Sequence, residues 1–163
     1  MIPSHTKKFL DKSILNFSEL DAILQNFDIA NINAIDSEGN SYPYNGVQNN
    51  QSLIVHNASN LKEEFRLLIN FFIMKTPELK QYQNDVHIFT SPSGTSNSLP
   101  LHHDTNHNYI LQTVGKCRWI CPNHFDVIME EGDLIFMPAY VTHLCIPLDR
   151  RISLSFPFGK VLC

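Results

Sequence analysis

Apolar residues recur in two different rhythms along this chain of 163 residues. Near the start, Leu20, Ile23, Leu24 and Phe27 fall at i, i+3, i+4 and i+7. With Ser18 and Asp21 ahead of most of them, the spacing predicts a short amphipathic helix opening on a capping-box-like pair. Leu61, Phe65, Leu68 and Phe72 line one face of a second predicted helix, with Asn60 placed to cap it, Glu63 three residues on and Pro77 to stop it. Both helices read as core-packing scaffold. Between them, 33–50 hold Gly39, Pro43, Gly46 and many Asn and Ser, a turn-rich stretch with room for short strands.

From Asp85 onward the rhythm changes to short β-rich runs at 86–89, 109–112, 118–121, 126–129, 134–137 and 152–158, separated by Gly, Pro and Asn turns. That texture predicts a sandwich or barrel, not a parallel sheet. The expected fold is mainly β with flanking helices. No composition shift marks a boundary, so 1–163 is expected to form a single domain: a helical and mixed part, 1–84, packed on a β-core, 85–158.

Composition narrows the function classes. Sixteen acidic side chains against 12 Lys or Arg give a net charge of −4, which argues against a nucleic-acid surface spread over the domain. The most apolar stretch, 67–74, contains Asn70 and falls well short of the roughly 20 residues a membrane span needs. The first eight residues show no apolar segment of a secretory signal, and the expected location is the cytoplasm. Cys117, Cys121, Cys145 and Cys163 are too few and too clustered for a disulfide scaffold and contain no Cys-x-x-Cys, so reduced thiols are expected. Eight His in a small acidic chain call for an explanation.

The densest polar cluster runs from His102 through His103, Asp104, Thr105, Asn106, His107 and Asn108 into Tyr109, Ile110, Leu111 and Gln112. In an extended chain, His102, Asp104, Asn106, Asn108, Ile110 and Gln112 share one face. An imidazole and a carboxylate two residues apart can bind one metal ion, and the best third ligand is His143, at the end of Gly132-Asp133, an apolar run and Pro138. Two His and one carboxylate leave open positions, the set favoured by non-haem Fe(II) oxygenases. Taken singly, the His-x-Asp pair also reads as a solvated turn, and the Gly-Asp…Pro…His run as a hairpin with a surface His. Together and in this order they favour a site. His103 and His107 fall on the opposite face, and His5, His56, His87 and His124 lack partners at ligand spacing.

These segments resemble the cupin-type Fe(II)/2-oxoglutarate oxygenases, specifically the JmjC branch with the asparaginyl hydroxylase and ribosomal oxygenases. There a His-x-Asp opens a strand ending in Gln, followed by a Gly turn and an aromatic-rich strand, as in His102 to Gln112, Gly115 and Trp119 here. The second motif, Gly-Asp, apolar strand, Pro and His, is matched by Gly132 to His143, with Tyr140 in place of the usual Gly. The match covers about 85–158. It implies a double-stranded β-helix of cupin or jelly-roll type, Fe(II) on His102, Asp104 and His143, and 2-oxoglutarate as cosubstrate. It also implies hydroxylation of a C–H bond in a protein, peptide or small-molecule substrate, with succinate and CO2 as coproducts. Demethylation through a hydroxymethyl intermediate uses the same machinery.

For the distal carboxylate of 2-oxoglutarate, many members carry a Lys shortly after the Gly turn, where this chain has Cys117 flanked by Lys116 and Arg118. Another branch uses Arg-x-Ser on the last strand, matched by Arg151-Ile152-Ser153, with Arg151 eight residues after His143. Parity puts Arg151, Ser153 and Ser155 on one face without saying which face looks at the metal. The resemblance, through the place of Pro157, turns Arg151 and Ser153 inward, where a guanidinium fork and a hydroxyl could hold a carboxylate. Arg151 ranks ahead of Lys116, and a surface Arg150–Arg151 pair beside a turn is the alternative. Asn108 matches an Asn that related hydroxylases place near the cosubstrate. Forty residues separate His102 from His143 and five follow Phe158, which leads to the expectation of a near-minimal barrel, with an oligomer left open. The rival function is a metal-binding cupin without oxygen chemistry, an isomerase or small-ligand module.

Overall fold

The computed structural model describes residues 1–46 and 51–159. The end of the turn-rich stretch, 47–50, and Cys163 lie outside the described residues. Twelve strands follow in chain order: β1 Ser4–Thr6, β2 Ile32–Ile35, β3 Ser41–Pro43, β4 Leu53–Val55, β5 Gln83–Asn84, β6 His87–Ser91, β7 His107–Val114, β8 Cys117–Cys121, β9 Phe125–Met129, β10 Leu134–Met137, β11 Leu144–Pro147 and β12 Arg151–Gly159. The helices are α1, Phe17–Leu24, and α2, Glu63–Lys75. Among the described residues the strands form a nine-stranded antiparallel sheet, ordered β1-β10-β7-β12-β6-β4-β2-β3 with β5 beside β12, and a three-stranded sheet, β11-β8-β9. The sheets face each other across a small apolar layer to which Ile110, Ile135 and Met137 of the large sheet and Cys117, Trp119, Cys121 and Met129 of the small one contribute. This is the jelly-roll arrangement of a double-stranded β-helix.

The helices cover the other face of the large sheet. Phe65, Ile69 and Phe72 are the buried positions of α2, and they pack with Tyr109, Leu111, Leu154, Phe156 and Phe158. Phe72 stacks on Tyr109 with ring centroids 4.1 Å apart and meets Phe156 edge-on at 5.1 Å. Because β7 and β12 are sandwiched between the helices and the small sheet, almost every residue of β12 is buried.

Both helix starts differ from the sequence expectation. The capping box of α1 is built by Asn16 and Glu19, each bonding the other's backbone N–H, with Phe27 beyond the helix end. At α2 a turn closed by Leu61 N–H on the Ala58 carbonyl takes up Asn60, so the helix starts at Glu63 behind Lys62 without a side-chain cap. Acidic Glu63 and Glu64 in the first turn complement the helix dipole instead.

The part before residue 85 is woven into the same sheet. β1 pairs with β10, and β4 joins β2 and β3 to β6. Buried Asp133 fastens the N-terminal segment by accepting bonds from the Lys8 backbone N–H and from His5 Nε2 at 3.1 Å. Gly132 beside it has φ +89°, and a Cβ there would overlap the Leu10 carbonyl. The Asp of the Gly-Asp pair is therefore a structural anchor.

Candidate active site

The expected triad comes together through a backbone device. His102 and His143 form an isolated antiparallel bridge, exchanging N–H···O bonds of 3.1 and 2.8 Å, which sets their rings 4.5 Å apart. Asp104 is brought in by its own carbonyl, which accepts the Tyr140 N–H at 2.7 Å. One ligand atom from each of the three residues lies within 4.8 Å of the others. Asp104 Oδ1 stands 3.7 Å from His102 Nε2, and Oδ2 stands 3.7 Å from His143 Nε2. Neighbouring ligands about 2.0–2.2 Å from one ion are themselves only a little closer than that.

The imidazoles are also in the right form. His102 Nδ1 lies 2.7 Å from the Pro100 carbonyl and His143 Nδ1 lies 2.9 Å from the Val141 carbonyl. A carbonyl only accepts, so each Nδ1 carries a hydrogen and each Nε2 is the nitrogen turned to the shared point. Burial lowers the pKa of His143, opposed by the Val141 carbonyl and the Asp104 carboxylate, and so favours the neutral ring that ligates. Two imidazoles and a carboxylate, with the remaining directions open, make a donor set that fits a divalent transition metal such as Fe(II).

Asn108 serves this triad directly. Its Nδ2 donates to Asp104 Oδ2 at 2.7 Å, and its Oδ1 accepts from Ser155 at 3.3 Å. Asn106, expected on the same face, lies elsewhere: 103–106 are outside any strand, alternation begins only at His107, and Asn106 lines a separate polar groove with Asn57, Asn84 and His87. His107 and His103 lie off the ligand set as expected. His107 Nδ1 accepts the Ala139 N–H at 3.1 Å, and His103 is exposed beside Tyr140.

The triad opens into a chamber between the sheets, also lined by Ile110, Trp119, Cys145, Arg151 and Ser153. Arg151 is 3% exposed, and no carboxylate lies within ion-pair distance of it among the described residues. Nε donates to Ser91 at 3.2 Å and Nη1 to Ser153 at 2.7 Å. The Ser153 hydroxyl donates to Gln112 Oε1 at 2.6 Å, while the Gln112 amide nitrogen donates to the Val114 and Gly115 carbonyls of the turn before β8. The ionisable neighbours of Arg151 are two thiols. Cys145 is lowered to about 7 chiefly by its neighbour Cys117, against the effect of burial and with help from the guanidinium charge. Cys117, which donates to Gln112 Oε1 at 3.1 Å, is raised by Cys145 and by burial. The adjacent Arg150 turns outward and lies over the Phe17 ring at 3.6 Å. Lys116 is not brought to the chamber; it is surface-exposed and pairs with Glu130 at 2.8 Å.

Trp119 is a chamber residue that the sequence reading did not single out beyond its place in the motif. Its indole nitrogen is buried and has no hydrogen-bond partner among the described residues. Tyr140 is the other special position. It holds φ +64° with its ring 70% exposed, a left-handed backbone at the place where the resembling family has Gly.

Fold and site together define a double-stranded β-helix with a His-x-Asp…His triad facing into its chamber. No family model and no curated protein sequence matches the chain. Among solved structures, it is similar to YcfD, a ribosomal oxygenase from Escherichia coli, with a TM-score of 0.76 at 20% identity over 97% of this chain. The structures of YcfD in complex with cobalt and 2-oxoglutarate, at 19% identity, and with cobalt and succinic acid, at 20%, each give a TM-score of 0.75 over 97% of this chain. In each case the match takes in 48% of the other chain, so this chain spans about half the length of those proteins. The likeness establishes the shared fold.

Proposed function

We propose that the protein is an Fe(II)- and 2-oxoglutarate-dependent oxygenase that hydroxylates a C–H bond of a peptide, protein or small-molecule substrate, with succinate and CO2 as coproducts. The observation that carries this reading is a buried guanidinium without a carboxylate partner among the described residues, in the same chamber as a His-Asp-His triad. A buried cation is expensive unless an anion completes it. A diacid that reaches from the triad to Arg151 supplies that anion.

In this reading His102, Asp104 and His143 hold the iron, and Asn108 keeps the Asp104 carboxylate turned to it. Arg151, held by Ser91 and Ser153, takes the distal carboxylate of 2-oxoglutarate, and Ser153 joins it by turning its hydroxyl hydrogen from Gln112 to the carboxylate. Iron with the bound keto acid supplies the oxygen activation and the C–H chemistry. Cys117, small at the position of the expected lysine, leaves room for Arg151, while Lys116 is committed to Glu130. The sheet shared by 1–84 and the β-core supports one functional domain. The free thiols of Cys117, Cys121 and Cys145 fit a reducing compartment such as the cytoplasm. The likeness to a ribosomal oxygenase supports a protein substrate first.

The test is succinate formation from 2-oxoglutarate by iron-loaded protein in air. Wild type is expected to form succinate in a metal-dependent way and Asp104→Ala to fall to background. Full activity in Asp104→Ala would refute the assignment, and 2-oxoglutarate left untouched by wild type with a range of substrates would favour a non-oxygenase cupin.

A further inference from the structure

His107 opens β7 on the Tyr109 side of the strand, away from the chamber, and is no ligand of the triad. Its ring lies nearly parallel to Phe136 at 6.3 Å and meets Tyr82 edge-on at 5.5 Å. A phenylalanine would fill this slot equally well. What the imidazole adds is an acceptor, because Nδ1 receives the Ala139 N–H at 3.1 Å. A backbone N–H only donates, so the ring is neutral and carries its hydrogen on Nε2. Burial, and after it the positive N-terminus, lower the His107 pKa and favour that form.

The turn that His107 reaches leads straight to a triad residue. From Met137, the end of β10, the chain runs through Pro138, Ala139 and Tyr140 to His143. Pro138 has no N–H to offer. The turn's own closing bond, Val141 N–H to the Pro138 carbonyl, is long at 3.4 Å, and Tyr140 takes a left-handed φ of +64°. A side chain other than Gly disfavours that backbone, so something outside the turn has to hold it. Two bonds do: Ala139 N–H to His107 Nδ1, and Tyr140 N–H to the Asp104 carbonyl at 2.7 Å. Both acceptors lie in 104–107. The pair therefore clips the segment that carries Asp104 to the segment that ends in His143.

We propose that His107 is a positioning residue for the metal centre, its Nδ1 holding the 138–140 turn in the form that aligns Asp104 with His143. The assignment rests on the metal-site reading above and adds to it a residue that is not itself a ligand. Without the acceptor, the Ala139 N–H turns to water and Tyr140 is free to leave its left-handed backbone. The Tyr140 N–H then loses its line to the Asp104 carbonyl, and the carboxylate and His143 no longer converge on one point. Arg151 and Ser153 stand on β12, outside this clip.

The test compares wild type, His107→Phe and His107→Asn by Mn(II) competition titration, and by calorimetry with 2-oxoglutarate at saturating Mn(II). Phe keeps the packing and removes the acceptor; Asn offers a carbonyl oxygen close to the place of Nδ1. Mn(II) affinity is expected to fall about tenfold in His107→Phe and to return to within about twofold of wild type in His107→Asn. Affinity for 2-oxoglutarate is expected to hold in both. Unchanged Mn(II) affinity in His107→Phe would overturn the assignment, and so would a loss that His107→Asn does not restore. Equal losses of Mn(II) and 2-oxoglutarate affinity would overturn it too, because they mark a general loosening. Nitrogen-15 shifts of the His107 ring in metal-free wild type read the same bond without a substitution: the Nε2–H tautomer is expected, and Nδ1–H overturns the assignment. Wild type that binds no Mn(II), or Asp104→Ala that binds it as tightly as wild type, refutes the triad itself.

Discussion

On the helix-facing side of β7 and β12 stand Tyr109, Leu111, Ile152, Leu154, Phe156 and Phe158, all packed into one apolar core. On the opposite side of the same two strands stand Asn108, Gln112, Arg151, Ser153 and Ser155, with Ile110 among them. Both sides are buried, so burial does not distinguish them. What differs is who satisfies the side chains. The helix side is completed by the protein's own aromatic rings. The chamber side is completed in part by Ser91, Gln112 and Asp104, and it keeps a guanidinium without a carboxylate partner among the described residues. One face stores stability; the other spends some of it on being ready to bind.

Substitutions on the two faces should therefore separate. Phe156→Ala, on the helix side, is expected to lower unfolding stability by about 3–5 kcal/mol while 2-oxoglutarate affinity of the folded fraction holds; urea titration and calorimetry measure the pair. Arg151→Met should do the reverse. Without its ligand the variant unfolds at the same temperature or higher, since a buried cation with no carboxylate partner among the described residues is removed. Its 2-oxoglutarate binding should weaken by about 2–5 kcal/mol, roughly 30-fold or more. A loss of ligand-free stability in this variant would place Arg151 with the structural face.

Smaller effects sharpen the same division. Asn108→Ala leaves both His ligands in place but frees the Asp104 carboxylate, and metal affinity should fall about 10–100-fold in a metal-competition titration. Tyr140→Gly relieves a left-handed backbone of about 1–2 kcal/mol and loosens the unfolded chain by about 0.5–1 kcal/mol, with almost no buried area lost. The melting temperature should move little.

Alternation carried most of what could be read in advance. β7, β10 and β12 are long or strongly apolar enough to show their period, and the pairing of His102, Asp104 and His143 followed from two motifs in order. Parity grouped Arg151 with Ser153, but a strand buried on both faces does not reveal which side holds the metal; the helices settle that by covering Ile152 and Leu154. β1, β3 and β4, three residues each, are too short to show a period, and β11 follows directly on His143. Asn106 was misplaced because alternation was carried back through 103–106, where the chain bends.

The central claim is that one chamber holds a metal on His102, Asp104 and His143 and a diacid on Arg151. Thermal unfolding with Mn(II), with and without 2-oxoglutarate, tests it most directly in wild type and Arg151→Met. The expected result is a metal-dependent stabilisation of wild type by 2-oxoglutarate, about 2.7 kcal/mol at a hundred times its dissociation constant, that is largely lost in Arg151→Met. No stabilisation of wild type in the presence of metal, or an equal one in Arg151→Met, would contradict it.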